Sequence, residues 1–254
     1  MPSNVEGFVP PSAMVVVAHP DDAEFMVAGT IAKWARGGCE VTYVIITRGD
    51  KGSDDPDMTS ERLTRIRETE QRNAGAVLGV ANYEFMGYPD GYLQHSLGLR
   101  RDVARLIRKY RPHVLITFDP TNRFLSDNYV NHPDHRVAGD VALDAAFPTA
   151  RDRLTFPELL VDGYEPWKVR QVWLSGSDKP NVWVDIGETL ELKKAALLEH
   201  PSQLGPGVAE IAEGVARMAA GWPIAAASAP TPACTKTCVG GSAIWAPISA
   251  AITP

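Results

Sequence analysis

A chain of 254 residues, 44% hydrophobic and 22% charged, has the length and balance of a globular protein with one large core. Its 31 acidic and 25 basic residues leave a net charge of -6, which supplies no basic field and excludes nucleic acid as a main partner. No apolar run reaches the ~20 residues of a membrane-spanning helix, and the opening MPSNVEGFVPPSA has no basic segment leading into an apolar one, so the chain reads as cytoplasmic with no membrane span.

In chain order, short runs dense in Val, Ile and aromatic residues alternate with amphipathic stretches. Residues 14–18, 41–47, 83–86 and 114–118 are predicted strands, near-continuously apolar as strands buried on both faces are. Helical spacing marks 23–36, 61–78, 97–110 and 133–146. Thr59 or Ser60 caps the second of these helices, with Glu61 in its first turn, while Gly79 and Pro112 end the second and third. Strands at 171–175 and 182–186 and a helix over 189–200 follow. Such a βα series predicts an α/β, Rossmann-like fold, a mostly parallel sheet with helices on both faces, because parallel neighbours need crossover connections of one hand.

From 218 to 254 the only charged residue is Lys236, and Ala, Pro, Ser, Thr and Gly erase any periodicity. The chain therefore divides into one domain over 1–217 and a low-charge tail over 218–254, which reads as a wrapped arm, a disordered end or a shifted reading frame. Cys39, Cys234 and Cys238 are too few for a disulfide framework. Cys234 and Cys238 read as two ordinary thiols rather than a metal clip.

Two polar clusters interrupt this pattern where chemistry is expected, since ligands of open α/β sheets bind beyond the carboxyl ends of the strands. His19-Pro20-Asp21-Asp22 follows the first predicted strand, and Asn131-His132-Pro133-Asp134-His135 follows the fourth at the start of a helix. Either cluster alone reads equally well as a turn with a capped helix. Both at one sheet edge make a metal site: His19 and Asp22, three residues apart across a turn, converge on an ion that one histidine of the second cluster completes. Spacing does not choose between His132 and His135. Two histidines and a carboxylate also serve both hydrolytic zinc enzymes and non-haem iron oxygenases. The spare carboxylate of Asp21 favours hydrolysis, as a general base acting on a metal-activated water.

AHPDDAE (18–24) together with NHPDHR (131–136) resembles the LmbE-like, or PIG-L, zinc-dependent N-acetylglucosaminyl deacetylases. The likeness runs on through TRGDKGS (47–53), RETEQRNAGAVLG (67–79), GYPDG (87–91) and KKAALLEHPSQ (193–203), so it spans roughly 15–203. The resemblance implies that His19, Asp22 and His135 bind Zn2+, or another divalent transition metal, that Asp21 is the general base, and that His132 stabilises the oxyanion or assists the departing amine. It further implies that Arg67 and Asp90 hold sugar hydroxyls, that the substrate is a small N-acetylated amino sugar, and that the protein forms a homo-oligomer. The loop between Asp119 and His132 and the tail depart from the family's pattern.

Other readings stay open. An amidase acting on a larger amide of a glucosamine-containing thiol conjugate would use the same centre. A non-catalytic sugar- or nucleotide-binding Rossmann-like domain would have no use for Asp21. No Gly-x-Gly-x-x-Gly follows the first strand, which counts against a dinucleotide oxidoreductase.

Overall fold

The computed structural model describes residues 3–5, 7–126, 129–205, 210, 214 and 245–249. In chain order its elements are β1 (Ser3–Asn4), β2 (Ser12–Val17), α1 (Asp22–Met26), α2 (Ala28–Arg36), β3 (Glu40–Thr47), α3 (Ser60–Leu78), β4 (Asn82–Tyr88), α4 (Leu97–Tyr110) and β5 (Val114–Phe118). A small hairpin, β6 (Phe124–Ser126) and β7 (Tyr129–Val130), precedes α5 (Pro133–Asp144). Then come α6 (Glu158–Val161), β8 (Gln171–Ser175), β9 (Val182–Asp185), α7 (Leu190–Leu198), α8 (Pro201–Leu204) and β10 (Trp245–Ser249).

One eight-stranded sheet runs in the order β1-β9-β10-β8-β5-β2-β3-β4. All its neighbours pair in parallel except β10, which is antiparallel to both β8 and β9. The expected α/β architecture is therefore present. In β2 no residue from Ala13 to Val17 is more than 1% exposed, as a central strand covered on both faces requires. Helices α2, α3 and α7 pack against one another, and α4 packs against α5. The chain moves outward from β2 through β3 to β4 and then returns to place β5 on the other side of β2. That reversal opens a crevice between the carboxyl ends of β2 and β5, the switch point at which ligands of such sheets bind.

Thr59 is the cap of α3, its hydroxyl accepting from the Arg62 N–H at 3.2 Å, and Gly79 closes that helix at φ 81°. The helix expected over 23–36 is two helices, broken at Val27 with φ -135°. At the break a side chain from far along the sequence enters: Lys193 Nζ donates to the carbonyls of Glu24 at 2.8 Å and Phe25 at 2.6 Å. Those carbonyls are withdrawn from the i to i+4 ladder, which is how an inserted side chain breaks a helix. The helix expected to continue to residue 146 ends at Asp144, and a wider turn over Ala145–Thr149 follows, with Phe147 out of helical conformation.

Of the expected tail, Trp245–Ser249 is described and forms the strand between β8 and β9. Its backbone pairing, rather than any side-chain periodicity, defines that element. The boundary at 217 and both Cys234 and Cys238 lie outside the described residues.

Candidate metal centre

The loop after β2 carries the first cluster. The His19 N–H donates to Asp22 Oδ2 at 2.7 Å, which folds the carboxylate back beside the imidazole. Asp21 sits at φ 101°, a left-handed conformation that costs a non-glycine residue about 1–3 kcal/mol. Its N–H donates to Gln71 Oε1 at 2.9 Å. Arg67, only 3% exposed on the buried stripe of α3, bonds the carbonyls of Pro20 and Gly49 and places Nη2 3.2 Å from Asp21 Oδ2. Gly49, at φ 62°, admits this guanidinium: a Cβ there would lie 2.6 Å from Arg67 Nη1.

The second cluster stands at the start of α5. His132 is the N-cap, with Nδ1 accepting from the Asp134 N–H at 3.2 Å, and Pro133 takes the first helical position. Gly139 lets α5 approach the end of β5, since a Cβ would lie 2.6 Å from the Phe118 carbonyl oxygen. His135 therefore stacks on Phe118, ring centroids 4.3 Å apart and 12° from coplanar. Its Nδ1 is 3.2 Å from Asn131 Oδ1, and the Asn131 amide donates to the Asn122 carbonyl at 2.8 Å, so the oxygen faces the histidine. With its proton directed to Asn131, His135 turns the Nε2 lone pair towards β2.

The two clusters meet over the switch point. His19 Nδ1 lies 3.2 Å from His135 Nε2 and 3.4 Å from Asp22 Oδ2, while Asp22 Oδ1 is 3.1 Å from His135 Nε2. Ligand atoms held about 2.0–2.1 Å from a tetrahedral zinc are separated by about 3.3 Å, close to the His19–His135 separation, with one Asp22 oxygen beside each imidazole. His132 joins more loosely: the three imidazoles offer nitrogens within 4.8 Å of one another. On its other edge, His19 Nε2 faces Asp90 Oδ1 at 3.0 Å and Asp134 Oδ2 at 3.5 Å, the carboxylate backing that orients a ligating imidazole.

Charges are set by these contacts. Burial opposes a charge on His19, yet Asp22 and the facing carboxylates of Asp134 and Asp90 push it up to about 12. Burial also disfavours a charged Asp22, but the two histidines outweigh it and hold the carboxyl far below the usual range. Burial raises Asp21 to about 6, with Arg67 working against the rise. Burial and the neighbouring His19 lower His132. His132 is therefore neutral, and with Nδ1 committed as an acceptor its proton belongs on Nε2.

All seven expected site residues are brought together. Asp21, Asp22 and His135 line two pockets, each about 350 Å³. One is polar, with Lys51, Arg67, Asp90, His132 and Gln203; the other is walled by Phe25, Met26 and Phe118. Asp90 is 6% exposed, with Oδ2 accepting from the Lys51 N–H at 3.3 Å. The polar atoms of Arg67 and Asp90 thus face protein partners as well as the pocket.

Sequence reasoning passed over Asn131 as a separate participant, and also Asp134, Glu24, Gln71, Lys193 and His200, which surround or underlie the centre. One signal was available for Gln71: with Arg67, Glu70 and Ala74 it falls on the buried stripe of α3, where apolar residues are the rule.

A family model described as PIG-L, GlcNAc-PI de-N-acetylase, matches residues 14–146. Diacetylchitobiose deacetylase of Thermococcus kodakarensis is 30% identical over 200 residues, covering 79% of this chain and 73% of the relative. A probable N-acetyl-alpha-D-glucosaminyl L-malate deacetylase of Bacillus anthracis is 29% identical, over 78% of this chain and 84% of its own. Among solved structures, N,N'-diacetylchitobiose deacetylase from Pyrococcus horikoshii superposes with a TM-score of 0.80 at 25% identity, covering 96% of this chain and 84% of that one.

Proposed function

The chain belongs to the PIG-L family, and on that premise we propose that it is a metal-dependent hydrolase that removes an acetyl group from an N-acetylated amino sugar or sugar conjugate. The observation that carries the reading is the trio His19, Asp22 and His135, with donor atoms 3.1 to 3.4 Å apart, and the carboxylate of Asp21 beside it. Zn2+ suits two imidazoles and a carboxylate, and such an ion supplies a Lewis acid and lowers the pKa of water to about 7.

The residues of the chain account for the rest of the reaction. The sugar occupies the polar pocket, where Arg67 and Asp90 keep hydroxyl-binding edges while also holding Asp21 and His19. A volume of about 350 Å³ is within the range of small-molecule sites, about 300–1,000 Å³. The acyl methyl points to the wall of Phe25, Met26 and Phe118. Asp21 takes a proton from the attacking water and returns it to the departing amine. The neutral imidazole of His132 donates from Nε2 to the oxygen on which negative charge develops. Acetate and a free amine leave. In this reading every residue given a role lies within 1–217, and Trp245–Ser249 adds a strand to the same sheet. Among the described residues no helix is long and apolar enough to cross a membrane.

The test is acetate release from a panel of N-acetylated amino sugars by the wild type and Asp21→Asn. The variant keeps its metal and loses nearly all turnover; full activity in Asp21→Asn would remove this residue from the mechanism.

A further inference from the structure

Asp21 stands in a left-handed backbone conformation that non-glycine residues rarely adopt, and beneath it lies a set of buried polar groups that the reaction does not use. Gln71 spans the gap. Its Oε1 accepts from the Asp21 N–H at 2.9 Å, and its Nε2 donates to both oxygens of Glu24, each at 3.1 Å. Gln71 and Glu24 are both 0% exposed. An amide has one acceptor and one donor end, and only one orientation serves both partners. The carboxylate of Glu24 accepts and never donates, so it forces Nε2 towards itself and Oε1 towards Asp21.

Glu24 is approached from the far end of the sequence. His200, also 0% exposed, places Nε2 3.4 Å from Glu24 Oε2 as a charge contact rather than a hydrogen bond, and Lys193 holds the Glu24 main-chain carbonyl. Lys193 and His200 both lie in KKAALLEHPSQ, a stretch that reaches the polar pocket only through Gln203. Ser202, in the same stretch, bonds Glu70 through N at 2.9 Å and Oγ at 2.6 Å, joining α8 to the helix that carries Gln71.

We propose that Gln71, oriented by Glu24, is a positioning residue for the base Asp21, and that Lys193 and His200 brace this relay from the C-terminal helices. The inference rests on the proposed function for its kinetic arm alone. An unsupported Asp21 relaxes out of the left-handed region, and its carboxylate moves off the line to the attacking water.

The experiment begins with Gln71→Leu, which keeps the side chain's bulk but removes both bonds. The expected result is a fall in kcat of about 100-fold, the scale of a 1 Å misplacement at a reacting group, with KM and metal content unchanged. In the Asp21→Asn background the same change should cost no more than about twofold, because two residues acting through one group are not additive. The exchange Gln71→Glu with Glu24→Gln rebuilds the relay with donor and acceptor reversed, since the carboxylate introduced on α3 accepts both from the Asp21 N–H and from the amide introduced on α1. Gln71→Glu alone sets two carboxylates together and loses turnover, and the double variant recovers most of it. A purely structural role would lower stability without this rescue. A crystal structure of metal-free Gln71→Leu supplies a reading independent of activity: Asp21 leaves φ near 100° if the proposal holds. An unchanged φ at Asp21, or a kcat kept in Gln71→Leu, overturns it. Should the wild type release no acetate from any substrate, the functional reading fails, and the crystal structure still decides the positioning.

Discussion

The same tripeptide, His-Pro-Asp, occurs at 19–21 and 132–134, and the two copies take different conformations. At the second, the chain follows local preference: His132 caps α5, Pro133 occupies its first turn, and Asp134 enters the helix with its carboxylate accepting from the N–H groups of Gly91 at 2.7 Å and Leu93 at 3.3 Å. At the first, Asp21 is forced to φ 101° and is held by Gln71 and Arg67 from α3. A regular helix start places His135, the proposed ligand, in the first turn of α5 without backbone strain, leaving Asn131 and Phe118 to orient its ring. Aiming two adjacent carboxylates in different directions, Asp22 to His19 and His135 and Asp21 to Arg67, takes a backbone that non-glycine residues rarely adopt unaided. The difference teaches that the backbone of the second copy follows a local helix start, with distant help only at the Asp134 side chain, whereas the backbone of the first depends on α3.

The largest expected effect separates the two histidines of the second copy. His135→Ala removes one of the three close donors and should abolish metal binding and turnover together. His132→Ala should keep its metal and turn over slowly, by a factor of about 10²–10³, the loss typical of one oxyanion donor. Metal analysis beside acetate release checks both, and the reverse pattern would mean that the ligand and the oxyanion donor have been exchanged.

Next in size is the dependence of the first copy on α3. Arg67→Met leaves the carbonyls of Pro20 and Gly49 without their donor and removes the charge facing Asp21. Removing one partner of a buried, multiply bonded charge costs about 3–5 kcal/mol, and a loss of that size in chemical denaturation is expected. Stability within about 0.5 kcal/mol of wild type, the range of ordinary surface changes, would show that the first loop holds itself.

How much of this could be read beforehand follows the same division. The parallel sheet, its buried strands and both His-Pro-Asp clusters were legible because they rest on short-range signals: continuous Val and Ile runs, helix caps and the proximity of charge to strand ends. The break at Val27 was not, because the group that meets the freed carbonyls of Glu24 and Phe25 is Lys193, far along the chain. The inward duties of Asp90 and Arg67 were hidden for a related reason. A sequence shows that a carboxylate or guanidinium is present, but its partners, here the imidazole of His19 and the carbonyl of Pro20, are fixed only when β4 and α3 pack beside β2. Gln71 was visible as an amide on an apolar stripe, yet its meaning depends on the backbone of Asp21.

The smallest effect belongs to the second copy and probes the comparison from the other side. Pro133 holds the first helical position of α5, where its missing N–H would have no partner in any case. Pro133→Ala keeps the His132 cap and adds freedom chiefly to the unfolded chain, so the expected cost is about 0.4–1 kcal/mol. Metal affinity should stay within about threefold, since the Asn131 contact that orients His135 precedes the substituted position. Equilibrium denaturation and metal titration of Pro133→Ala beside Arg67→Met give the contrast directly. A Pro133→Ala variant as damaged as Arg67→Met would place the support of α5 in that one ring, and the second copy would then be no more self-sufficient than the first.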